Sequence, residues 1–181
     1  MNFEKILRNK PLKLLTLLLT SAIIVTASAT VYNYMYMQSF GISVEAAKIT
    51  FVAGDDSTAA GFSPGTNGTY ASVNSMGGWP NATRTYEQAC NISATAAVSF
   101  ELQYDSWSGD TGQVDSMTVI IRNGAGTQQG STITVGSTSS TGTISIGAGE
   151  EWSVEWNIKW NANAQTIHSV DVTLQLIATG E

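Results

Sequence analysis

Glu151-Trp152-Ser153-Val154-Glu155-Trp156-Asn157-Ile158-Lys159-Trp160 alternates without a break. Trp152, Val154, Trp156, Ile158 and Trp160 fall on one side, and Glu151, Ser153, Glu155, Asn157 and Lys159 on the other. Side chains of a strand point to opposite faces in turn, so this period of two predicts a β-strand with one buried and one wet face. Such strands belong to antiparallel sheets that cover a core with one face only.

The pattern spreads outward in both directions. Downstream, after a turn at 161–164, residues 168–177 place Val170, Val172, Leu174 and Leu176 inward, and Ser169, Asp171, Thr173 and Gln175 outward. Upstream, Gly147-Ala148-Gly149 is a turn, preceded by short strands at 142–146 and 131–135. Asn123-Gly124 is a second turn signal, because both residues tolerate positive φ. Before it, 114–122 brings Met117, Val119 and Ile121 together, and 106–112 reads as a turn or short loop. In 96–105 the alternation is again strict, with Val98, Phe100, Leu102 and Tyr104 inward and Ser99, Glu101, Gln103 and Asp105 outward. In 85–93, Tyr86, Gln88, Cys90 and Ile92 share a face. Residues 54–80, rich in Gly, Ser, Asn and Asp, read as loop with a short strand at 70–73, and 48–52 is a strand. Eight or nine short strands, each with one wet face, must pack as two antiparallel sheets. The expected fold is an all-β antiparallel β-sandwich, jelly-roll-like or immunoglobulin-like. The Cys–Trp–Cys pattern of immunoglobulin domains is absent.

The N-terminus has a different character. Lys5, Arg8, Lys10 and Lys13 precede a Leu-rich apolar run from Leu14 to Val25, and Ala27-Ser28-Ala29 follows. This is the secretory pattern, with cleavage expected between Ala29 and Thr30. A retained membrane anchor is the competing reading; either one puts the body outside the cytoplasm, at the cell surface or beyond. Expected domains are a signal peptide at 1–29, an apolar strand at 30–40 and a sandwich at 41–181. Past the signal, four basic residues face thirteen acidic ones, a net charge of 4 − 13 = −9. That disfavours nucleic acid, and none is expected as a partner, since phosphate contacts need clustered Lys and Arg. Contact with membrane is expected only through the signal. Cys90 is the single cysteine, so no intramolecular disulfide forms, and it reads as a small buried apolar residue.

Little in the sequence carries chemistry. His168 is the only histidine and reads as a packed or rim residue. No zinc motif, nucleophile elbow, P-loop or dinucleotide fingerprint occurs. Glu101 with Asp105, and Glu151 with Glu155, share strand faces as a glycosidase pair would, but the solvated faces of an acidic protein produce such pairs routinely. No enzyme activity and no cofactor are expected. A structural calcium is the one candidate ion, at Asp55-Asp56 or in the Asp105 to Asp115 loop, and neither matches a known ligand spacing. Three sequons, at Asn67, Asn81 and Asn91, are candidate glycosylation sites. Trp79 and Trp107 are the loop aromatics that could stack on sugar rings.

Thr30-Val31-Tyr32-Asn33-Tyr34-Met35-Tyr36-Met37-Gln38 is apolar on both faces of a strand. Such a strand is normally buried on both sides. It can pair in its own sandwich, insert in a membrane, or complete the sheet of another subunit by strand addition. Burying four or five of its large side chains is worth roughly 6–15 kcal/mol before association costs. A head-to-tail contact of this kind that does not close on itself gives a fibre.

Ala29-Thr30-Val31-Tyr32, followed by Ala47-Lys48-Ile49-Thr50-Phe51-Val52-Ala53-Gly54, resembles the start of TasA/camelysin-type secreted fibre proteins. It is most similar to their archaeal relatives, the bundling-pilus and thread subunits. The resemblance covers about Leu14 to Gly54 at motif level, and the rest by size and β character. It implies a jelly-roll-like sandwich that forms extracellular fibres, a homopolymer in which each subunit lends Thr30 to Gln38 to its neighbour. The metalloprotease activity ascribed to camelysin finds no support in a lone His168. The expected function is a structural filament subunit of pilus, thread or biofilm type. The alternative is a monomeric surface module that binds carbohydrate or an S-layer partner.

Overall fold

The computed structural model describes residues 46–66, 68–137 and 139–179, which fall in one compact unit, Glu45–Glu181. The expected signal peptide, the cleavage point at Ala29 and Thr30, and the strand Thr30 to Gln38 lie outside these residues. In chain order the elements are β1 (Ile49–Val52), α1 (Ser57–Ala60), β2 (Phe62–Pro64), β3 (Ala71–Val73), β4 (Thr83–Ala94), β5 (Val98–Gly109), β6 (Val114–Arg122), β7 (Gln128–Thr134), β8 (Ile144–Ile146), β9 (Glu151–Trp160) and β10 (Val170–Thr179).

A five-stranded sheet runs β1-β4-β9-β6-β7, a three-stranded sheet β10-β5-β8, and β2 with β3 forms a small ribbon. Every strand pair is antiparallel. The alternating stretch that identifies β9 lies at the centre of the larger sheet, between β4 and β6. Trp152, Val154, Trp156 and Ile158 are buried and sit opposite Ile92, Cys90, Tyr86 and Arg84 on β4. On the other flank Ile158, Trp156 and Val154 sit opposite Met117, Val119 and Ile121. The smaller sheet contributes Val98, Phe100, Leu102 and Ile146 to the core. Phe100 meets Trp152 with ring centroids 6.1 Å apart, which joins the two layers. The molecule is thus the expected antiparallel β-sandwich.

The strand order is that of a jelly roll with its first place shifted. Leaving aside the β2–β3 ribbon, the second, seventh, fourth and fifth strands (β4-β9-β6-β7) are neighbours, and so are the eighth, third and sixth (β10-β5-β8). In a complete jelly roll the first strand lies beside the eighth and evens the two sheets. Here β1 extends the larger sheet beside β4, and β10 pairs with β5 alone among the described residues.

Two stretches differ from the sequence reading. Residues 106–112 were expected as a turn, but β5 continues through Ser106, Trp107 and Ser108 to Gly109, held by Val170, Asp171, Val172 and Thr173 of β10. A register shift leaves Asp105 unpaired between Ser106–Thr173 and Tyr104–Leu174, and this breaks the period of two. The 54–80 loop contains α1 and the β2–β3 ribbon, elements too short to show periodicity. Gly61, with φ +66°, ends α1 by donating to Ser57 O and Thr58 O, the left-handed cap for which glycine is suited.

A wide bulge interrupts β4. Glu87, Gln88 and Ala89 lie opposite Glu155 alone, between the pairs Tyr86–Trp156 and Cys90–Val154. The displaced backbone bonds to the loop before α1: Asp56 N–H donates to Gln88 O, and Gln88 N–H donates to Asp56 Oδ2, each at 3.1 Å. Gly54 seals the contact, since a Cβ there would lie 2.3 Å from Gln88 O.

Candidate functional site

β10 is the longest edge strand among the described residues. It is ten residues long, contains no Pro or Lys, and its outer edge carries no strand among the described residues. Its inward row, Val170, Val172, Leu174 and Leu176, packs on the core yet is only half-buried. The corresponding rows of β4, β6 and β9 are closed. The other outer strands of the two main sheets are shorter: β1 has four residues, β8 three and β7 seven, while the β10–β5 pair shifts register between Thr173 and Leu174. A long edge strand presents unpaired backbone groups that can template pairing with another chain.

A polar cleft of about 500 Å³ opens on the outer face of the larger sheet, over the bulge, lined among others by Glu87, Asn91, Arg122, Glu151, Ser153 and Glu155. Arg122 Nε donates to Glu155 Oε2 at 2.5 Å, and Asn157 Nδ2 donates to Glu155 Oε1 at 2.8 Å. The Arg122 hydrogen bond holds the Glu155 carboxyl below the usual carboxylate range, against the opposing effect of burial, with Asn157 adding to it. The same bond holds Arg122 charged. Both Glu155 oxygens are thus engaged, one by Arg122 and one by Asn157.

The remaining expected residues are dispersed. Asn91 was expected to have room for a glycan on an outward face. It does face outward, beside Ser153, but it is only 8% exposed. Its Nδ2, the atom a glycan would use, donates to Glu151 Oε1 at 2.7 Å, and Gly54 packs on its Oδ1. The bulge and the loop before α1 bury it, which alternation alone does not reveal. Asn81 is exposed in a turn, and Asn67 lies outside the described residues. Trp107 is no loop aromatic: it lies on β5 opposite Val172, half-buried, and a Cβ on Gly136 (φ +87°) would lie 2.7 Å from its ring. Trp79 is 57% exposed.

Several of the expected ion ligands make other contacts. Asp56 holds the bulge, Asp110 Oδ2 accepts from Ser169 N–H at 3.0 Å, and Asp115 pairs with Lys159 at 2.7 Å. Among the described residues no three His, Cys, Asp or Glu side chains gather in a metal-binding group. His168 sits in the turn before β10, where Nδ1 accepts from Gln165 N–H at 2.9 Å. Burial pushes the Cys90 thiol up to about 12, so it stays protonated and unreactive.

Sequence reasoning missed the Arg122–Glu155 pair and the open state of β10. The hydrophobic row of β10 was legible; that its sheet stops there is a matter of topology. Among the described residues no helix is long and apolar enough to cross a membrane. No protein-family model matches the chain, and a search of curated proteins finds no match.

Proposed function

We propose that this protein is the structural subunit of an extracellular filament that polymerises by donor strand. In this reading Thr30 to Gln38 of one copy pairs with β10 of the next and fills the first place of its jelly roll. The observation that carries it is the half-open row Val170, Val172, Leu174 and Leu176 on a ten-residue edge strand. Three further features support it. The strand offered is apolar on both faces, as a strand placed between a core and another subunit must be. The place beside β10 is that of the first strand in a jelly roll, and Thr30 to Gln38 precedes β1 in sequence. The N-terminal motifs resemble those of secreted fibre subunits. In this reading the secretory pattern at 1–29 delivers the chain to the outside, and with one cysteine the domain is held by its core and its neighbours. The role in this reading is mechanical, and the two carboxylates Glu155 and Asp115 are paired with Arg122 and Lys159.

Negative-stain microscopy of residues 30–181 beside residues 39–181 tests the reading. Filaments from the longer form and soluble monomers from the shorter one are expected. Monomers from both forms at high concentration overturn it and leave a monomeric surface module.

A further inference from the structure

Trp79-Pro80-Asn81-Ala82-Thr83 folds as a tight turn that opens β4. Ala82 N–H donates to Trp79 O at 3.3 Å, which closes the turn around Pro80 and Asn81. Asn81 has φ +58°, the only positive φ of a residue other than glycine among those described. Pro at the second place and Asn at the third are the residues that a turn of this hand selects. The whole stretch from Trp79 to Thr83 is exposed, so the Asn81 amide and the Thr83 hydroxyl of the sequon both face solvent.

The turn also carries an aromatic platform. The Arg84 guanidinium lies 5.4 Å from the Trp79 ring centroid and 4.6 Å from that of Tyr86. Tyr86 is buried, and its hydroxyl accepts from Gly77 N–H at 2.9 Å, which fixes this small stack. Trp79 is thereby held from one side by a cation and keeps 57% of its surface in water. An exposed ring two residues before an exposed, extensible Asn offers a sugar ring an apolar face to pack on.

We infer that Asn81 carries an N-linked saccharide whose first sugar ring packs on Trp79. In the transfer, Asn81 Nδ2 bonds to the anomeric carbon of a sugar carried on a lipid phosphate or diphosphate. The bond from that carbon to the carrier oxygen breaks, the carrier phosphate leaves with the electron pair, and Nδ2 gives one proton to the transferase's base. The carrier and the transferase come from the exporting cell. Asn91, whose Nδ2 is buried against Glu151, stays bare. The inference rests on the export contained in the proposed function and is independent of filament assembly.

The test is peptide mass spectrometry on the full chain recovered from outside the cells that make it, with N81Q, W79A and the double variant alongside. A saccharide mass on the Asn81 peptide, absent in N81Q and absent from the Asn91 peptide, is expected. The occupied wild-type protein should melt about 2–4 °C above N81Q, as expected for a small stabilisation of a domain of this size. The difference should largely vanish in the W79A background, as a double-mutant cycle requires of two groups in contact. A bare Asn81 on exported protein overturns the site and leaves export standing. Protein confined to the cytoplasm with Asn81 bare overturns both. An occupied Asn81 whose melting gain survives W79A overturns the packing on the ring.

Discussion

Arg122 and Glu155 show how one ion pair sets a pH response. The Glu155 side chain is 11% exposed and that of Arg122 33%, so the bond is partly shielded from water. Removing the guanidinium leaves a largely buried carboxylate with only Asn157 to satisfy it. R122M should lose about 1–3 kcal/mol of unfolding free energy at pH 7, as for a hydrogen bond between charged groups. The sign with pH follows from Glu155. Its folded-state affinity for protons is lowered, so the unfolded chain binds a proton first as pH falls. The contribution is complete above the ordinary carboxylate range and disappears as pH drops through the lowered folded value. Urea titrations at pH 7 and pH 2 should therefore show the gap between wild type and R122M closing in acid; a constant gap would assign the loss to packing of the Arg122 stem. The sequence shows Glu155 on the wet face of its strand, but the pairing with Arg122 depends on the β6–β9 register. In that register Arg122 sits opposite Ser153 and Ile120 opposite Glu155, so the ion pair is a diagonal one. Bulges and turns fix such registers, and period two is blind to them.

At the level of elements, the bulge in β4 and the edge of β10 make separate predictions. Gly54 fits under Gln88 O and Asn91 Oδ1 because it has no Cβ. G54A should push the 54–56 loop off the bulge and cost about 1–3 kcal/mol, the range for overpacking. Thermal melts check this, and the Asp56 bonds to Gln88 should show faster amide exchange at Gln88. On β10, Leu174→Gln changes a half-buried side chain, so the isolated domain should lose only about 1 kcal/mol by burial arithmetic. If the proposed donor strand pairs with β10, filament yield should nevertheless collapse, because the same side chain lines the face that strand would cover; sedimentation of wild type and variant at equal concentration separates the two effects. Both elements were only partly legible. Residues 96–105 and 151–160 announced themselves by strict alternation. The continuation of β5 through Ser106 and Ser108 did not, because the register shift at Asp105 puts the alternation out of phase between Tyr104 and Trp107.

For the whole molecule, stability depends on two sheets of unequal width sharing one core. Phe100, fully buried on the smaller sheet, is the side chain that meets Trp152 of the larger one. F100A should cost about 3–5 kcal/mol, a large part of the roughly 5–15 kcal/mol that such a domain has. Chemical denaturation should show a lower midpoint with an unchanged slope. The fold class was legible because wet-faced strands leave two packed antiparallel sheets as the solution. Which strands share a sheet was not legible, because the alternation of β5 and that of β9 look alike although they belong to opposite layers. The unequal widths, and with them the open row of β10, follow from that unread partition.

Cys90 lies on β4 opposite Val154, at the centre of the larger sheet, with its thiol protonated and sealed from water. A thiol reagent reaches it only when the β4–β9 pair parts. Since the chain has a single cysteine, labelling gives one signal from one place. The protein thus contains its own clock for opening: modification rates measured on free subunits, and on filaments if the proposed assembly forms, would read directly whether a neighbour slows the separation of these two strands.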